Sequence, residues 1–280
     1  MSASVISISP ENVGTFAVSN ILSSTIATVN QILQENHDRY HPFFNDKGFH
    51  NHITHYMLAS LSLGATSPQI SAAWTQEKAF QRPQPRLVEE NVSKLADGEF
   101  FRSCLGNEDH YRDFLIFFQL EIKKKGYGEV LNEYVFSRTE NAELTFTRLF
   151  ASFLHPLIHL GYGIEFDQPA IVAEALAQTA VHHNEVGVVM LGSEAAAAAA
   201  DQTDGPCRSM ISLLNQVRDN DRVRHASCWG DGSWIDDMPL TAAPDELLKI
   251  AGQWHVDPSQ LGEKTAEMIN VNAFFCGVQD

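Results

Sequence analysis

Positive charge is scarce in this 280-residue chain: 19 Lys and Arg stand against 35 Asp and Glu, a formal charge of −16. A surface this acidic repels phosphate backbones and anionic lipid, which argues against nucleic acid or a membrane as partner. The one cationic triplet, Lys123, Lys124 and Lys125 before Gly126, reads as the C-terminus of a helix. Cysteine is scarce too. Cys104, Cys207, Cys228 and Cys276 show no metal-finger or redox spacing and no disulfide framework. Long apolar runs are missing: the longest, residues 149–164, holds two His and a Pro. It falls short of the roughly 20 residues that a membrane span needs. The first cationic side chain is Arg39, so the start lacks the pattern of a secretory or mitochondrial leader. These absences predict a soluble, cytoplasmic globular protein. The 44% hydrophobic content, with 17 Phe, is enough for a large core.

Strand-like alternation is almost absent; residues 186–191 are the best short candidate. Helical spacing dominates. Ile21, Leu22, Ile26, Val29, Ile32 and Leu33 mark one buried face that ends before the polar residues 34–38. A helix over 52–63 stops at Gly64, and the next opens with Ser67 as N-cap and Pro68 in its first turn. Further helices are predicted over 109–125, from about Tyr127, over 142–160, 168–183, 209–217, 244–253 and 258–275. The alanine run 195–200 reads as a solvent-facing helix extension, and 224–240 as an irregular connection. No Pro/Gly/Ser linker divides the chain. The expected fold is all-α, one compact domain over 1–280.

Familiar site chemistry is also missing. Gly161-Tyr162-Gly163 has Phe166 where a dinucleotide fingerprint needs its third glycine. There is no phosphate-binding loop, and Gly192-Ser193 lacks the second glycine of a nucleophile elbow. Histidine is what the chain has in quantity, 12 residues. His50, His52 and His55 stand together, and at 100° per residue His52 and His55 share a helix face. His155 and His159 lie four apart in an apolar run, a spacing that lets two imidazoles reach one metal. A buried imidazole must be hydrogen-bonded, paired with a carboxylate or bound to a metal, so ligands and ordinary core histidines both remain open readings. His182 and His183 read as structural at a helix end, and His37 and His41 as part of a polar turn.

The order of these blocks resembles a known family. Phe49-His50-Asn51-His52 through His55, then Leu61-Ser62-Leu63-Gly64-Ala65, Tyr111-Arg112-Asp113-Phe114-Leu115, residues 153–163 and residues 168–178 are similar to questin oxidase-like proteins. The resemblance covers about residues 40 to 275. It implies an oxidoreductase of fungal aromatic-polyketide biosynthesis, using NADPH and O₂ for Baeyer–Villiger-type oxygen insertion or ring cleavage of an anthraquinone-like ketone. A related ring-cleaving dioxygenase implies non-haem Fe(II), held by several histidines and a carboxylated lysine. Carried onto this chain, the metal candidates are His52, His55, His155 and His159, with His55 and His159 first because both lie deep in apolar helical runs. A substrate pocket lined by Phe and Tyr side chains would have Tyr56 and Tyr162 as catalytic hydrogen-bond donors. Family members continue into a further helical section that supplies another histidine and the lysine. The resemblance therefore implies a chain lacking those donors. The alternative reading is a non-catalytic helical protein that binds a ligand or partner, with an exposed apolar face and a tendency to homo-oligomerise.

Overall fold

The computed structural model describes residues 2–184, 186–199, 208–226 and 243–277. Among them all regular structure is helical, with only two isolated bridges, Tyr40 to Pro83 and Phe43 to His50. No helix among the described residues is long and apolar enough to cross a membrane. Contacts divide the chain into two compact units, Met1–Asn184 and Glu185–Asp280. No composition shift marks that division.

In the first unit, ten α-helices run in order: α1 Ser23–Arg39, α2 Ile53–Ser62, α3 Ser67–Glu77, α4 Glu89–Lys94, α5 Gly98–Cys104, α6 Tyr111–Lys125, α7 Tyr127–Leu131, α8 Glu140–Arg148, α9 Ala151–Glu165 and α10 Pro169–Val181. Helix α10 opens on Pro169 in its first turn, where the missing N–H costs nothing. Every one of its residues is buried. A helix apolar all round has to lie inside the protein. Its N-terminal Ala170 and Ile171 join a core with Val29, Leu33, Ile53 and Leu61. Its later turns, from Val172 to Val181, join a second core rich in phenylalanine, including Phe101, Phe114 and Phe118. Helices α9 and α6 are its main neighbours.

Close approach of α9 to α10 depends on Gly163. A Cβ there would sit 2.9 Å from both the Val172 amide nitrogen and its Cγ2. Gly163→Ala is therefore expected to push the two helices apart at a cost of about 1–3 kcal/mol, read from chemical denaturation midpoints.

Several boundaries differ from those predicted. Helix α1 continues through the polar stretch to Arg39 because Asn36 and His37 find buried partners. The N-cap of α3 is Thr66, whose N–H and hydroxyl both donate to Gln69 Oε1, one residue before the expected Ser67. Residues 142–160 are not one helix. Ser152, Phe153 and Leu154 have φ of 46°, 56° and 67°, three consecutive left-handed residues that separate α8 from the rest of α9. Pro156 cannot donate a helical hydrogen bond, and the chain resumes with Leu157 N–H on Leu149 O. Each left-handed non-glycine residue costs roughly 1–2 kcal/mol, so surrounding contacts must hold this turn.

The second unit contains α11 Gly187–Ala199, α12 Met210–Asp219, α13 Asp221–Ala226, α14 Pro244–Ala251 and α15 Leu261–Gly277. The predicted strand at 186–191 is the start of α11, where an apolar run continues into a strong helix-forming alanine stretch. Residues 227–240 of the expected irregular connection lie outside the described residues.

Candidate functional site

Histidines from three parts of the first unit meet in pairs. The segment leading into α2 carries His50 and His52, α2 carries His55, and α9 carries His155 and His159. His52 Nε2 lies 2.8 Å from His155 Nε2, and His55 Nε2 lies 3.1 Å from His159 Nδ1. The His50 and His155 rings stack at 4.0 Å and 9°. His155 and His159 thus face different partners. Tyr162 stacks on His55 at 5.5 Å and 11°, while the Tyr56 side chain is exposed on α2, and only its backbone N–H reaches a paired histidine, donating to His52 O at 2.8 Å.

The chain fixes one nitrogen of each α9 imidazole. His155 Nδ1–H donates to Ser152 O at 2.6 Å, and the left-handed turn is what brings that carbonyl back over the ring. His159 Nε2–H donates to Glu174 Oε2 at 2.7 Å. In the neutral rings this leaves a lone pair on His155 Nε2 and on His159 Nδ1, each aimed at a histidine from the α2 segment. Each pair shares one proton between two nitrogens.

Glu174, in the middle of the helix predicted over 168–183, anchors the cluster. Its other oxygen accepts from His37 Nδ1–H at 2.6 Å, and Gln119 Nε2 stands 2.8 Å from His37 Nε2. Burial alone would raise the Glu174 pKa, but hydrogen bonds from His159 and His37 outweigh it and hold the carboxyl at about 2. Burial opposes charge on His37 as well, yet the bond and charge of Glu174 win and raise it above 6.5. The Gln119 amide can turn either its NH₂ or its oxygen to that ring, so it can match either protonation state.

His37 is therefore a buried partner of Glu174, not part of a polar turn. His182, also read as a helix-end residue, has its Nε2 2.8 Å from His50 Nε2. Burial and neighbouring imidazoles push His182 down to about 3, so it is no cation on the helix dipole. The cation there is Arg148, which donates to His182 O at 2.9 Å and Leu144 O at 2.7 Å at the ends of α10 and α8. His55 is lowered to about 2 by burial and by His159, and His50 and His52 are lowered by burial and by their histidine neighbours.

Two cis ligands at about 2.1 Å from a metal stand roughly 3.0 Å apart, so either pair has the right separation for two positions on a first-row metal. Among the described residues no three His, Cys, Asp or Glu side chains converge into one metal site. Among the described residues each pair offers two nitrogens and no third protein donor.

A family model for questin oxidase-like proteins matches residues 49–280, a span that holds every paired histidine. The chain belongs to the questin oxidase-like family. A Baeyer–Villiger monooxygenase of Cryptosporiopsis sp. is 41% identical over 281 residues, covering 99% of this chain and 63% of the relative. A Baeyer–Villiger oxidase of Pestalotiopsis fici and a questin oxidase of Aspergillus terreus are each 38% identical, covering 98% of this chain and 62% of their own length. This questin oxidase-like chain thus spans about three fifths of the length of these relatives.

Proposed function

We propose that the chain oxidises an aromatic polyketide ketone or anthraquinone with O₂, either inserting oxygen beside the carbonyl or cleaving the ring oxidatively. The observation that carries this reading is the pairing of histidines whose second ring nitrogens are tied to Glu174 and to Ser152 O. The family membership and the names of the relatives support it. In the insertion form the balance is ketone plus O₂, NADPH and H⁺ to ester, NADP⁺ and water. NADPH enters this scheme as a consumed reductant, and no residue is assigned to hold it. A non-catalytic binding role has no comparable support.

If Fe(II) takes part, His55 with His159, or His52 with His155, would hold it once the shared proton is displaced. It would supply binding and activation of O₂. The protein's own contribution is orientation. Glu174 prevents the His159 ring from turning, Ser152 O does the same for His155, and Tyr162 covers one face of His55. Exposed Phe153 and Ile158, each next to a histidine or two residues from one, give an apolar border suited to a flat aromatic substrate.

The test is oxygen uptake and product mass with an anthraquinone, NADPH and Fe(II), for the full chain and for His159→Ala. Turnover is expected to fall on the order of 100-fold in the variant with helicity retained. Anaerobic Fe(II) binding, followed by absorption, is expected to weaken alongside it. Equal turnover in both proteins contradicts the proposal.

A further inference from the structure

A polar cavity lies on the side of Glu174 and His159 lined by Tyr111 of α6 and Gln178 of α10, with Asn36 and Asn51 also on its wall. Its volume, about 10 Å³, has room for roughly one water molecule. Gln178 follows Glu174 by one helical turn, so both side chains leave the same face of α10. Tyr111 is 4% exposed and Gln178 3% exposed, and among the described residues neither side chain has a hydrogen-bond partner. Leaving a buried hydroxyl and a buried amide unpaired is costly, and nine-tenths or more of such groups in proteins are paired. Glu174 has spare capacity as well. A carboxylate offers about four acceptor positions, and His37 and His159 use one each.

We infer that this cavity is a water site, with one water molecule held among Tyr111, Gln178 and Glu174. The water accepts from the Tyr111 hydroxyl and from the Gln178 NH₂ and donates to Glu174 and to the Gln178 oxygen. That satisfies every group left over by the direct contacts and lies within the two to four bonds usual for buried water. The lining also selects the guest. Donors and acceptors on the wall favour water over dioxygen, and the buried Glu174 charge excludes an anion. The bound water ties α6 to the carboxylate that orients His159. The inference does not depend on the proposed oxidation.

Long-lived internal waters are counted by oxygen-17 magnetic relaxation dispersion on the full chain and on the double variant Tyr111→Phe, Gln178→Met. The expected result is one fewer long-lived water in the variant. A high-resolution crystal structure of the unsubstituted protein is the second measurement, valid even if the variant fails to fold. It is expected to show one ordered solvent peak within hydrogen-bond distance of Tyr111 Oη and the Gln178 amide, and no xenon at this position under pressure. An unchanged count, a direct bond between Tyr111 and Gln178 or Glu174 that closes the space, or xenon in the cavity overturns the inference.

Discussion

Glu174→Leu lowers the unfolding free energy by about 3–5 kcal/mol, the usual cost of removing one partner from a buried charged pair. The residue is 3% exposed in a helix buried along its whole length, and its carboxylate is the acceptor for two imidazole N–H groups. Leucine fills the space but leaves His37 and His159 with unpaired buried donors. Glu174→Gln is expected to lose less, since one amide oxygen still accepts from one of the two histidines. The two variants also separate stability from orientation. Partners that orient a functional histidine typically matter 10–100-fold for metal affinity or activity. Glutamine should therefore fold well and turn over slowly. Denaturant unfolding and turnover on the same samples check both parts.

Acid should unfold this protein unusually early, starting below about pH 6.5. Three histidines are held neutral in the fold: buried His41 at about 4, buried His182 at about 3 and half-buried His55 at about 2, with buried His50 lowered as well. Each has a depressed folded-state pKa, so the unfolded chain takes up a proton that the fold refuses as pH falls through 6.5. One such histidine costs about 1.4 kcal/mol per pH unit, and three acting together cost about 4. Below pH 4.5 Glu174 adds to the loss, since its folded value near 2 means stability that vanishes as pH drops from 4.5 toward 2. His37 works the other way, because its raised value gives stability that is present below 6.5 and lost as pH rises past its folded value. One group of that sign does not offset three or more of the other. With total stabilities usually 5–15 kcal/mol, unfolding is expected within about two to three units below pH 6.5. Circular dichroism against pH checks this. A flat profile down to pH 4 would contradict it.

Much of the fold was legible because one rule, apolar residues at helical spacing, applies along most of the chain. It located α6 and α10 to within two residues. It failed where a polar residue points inward or a run turns back on itself. Helix α1 runs past Gln34 because His37 reaches Glu174, a partner 137 residues away that no local pattern shows. The break in α9 depends on left-handed residues at Ser152, Phe153 and Leu154, none of them glycine, and only Pro156 gave any local warning. The histidine groups on α2 and α9 were visible as spacing, whereas their pairing required the tertiary fold. Glu174 and Gln178 did leave a signal. They are an acid and an amide one turn apart in a helix otherwise almost free of polar side chains, and such residues need buried partners.

The claim that the tied histidines act together is tested most directly by a double-mutant cycle on turnover with His55→Ala, His159→Ala and the pair. Residues that work as one unit lose their effect together. The double variant is expected to be no slower than the slower single variant. Losses that multiply, or full activity in any of the three, would contradict the account.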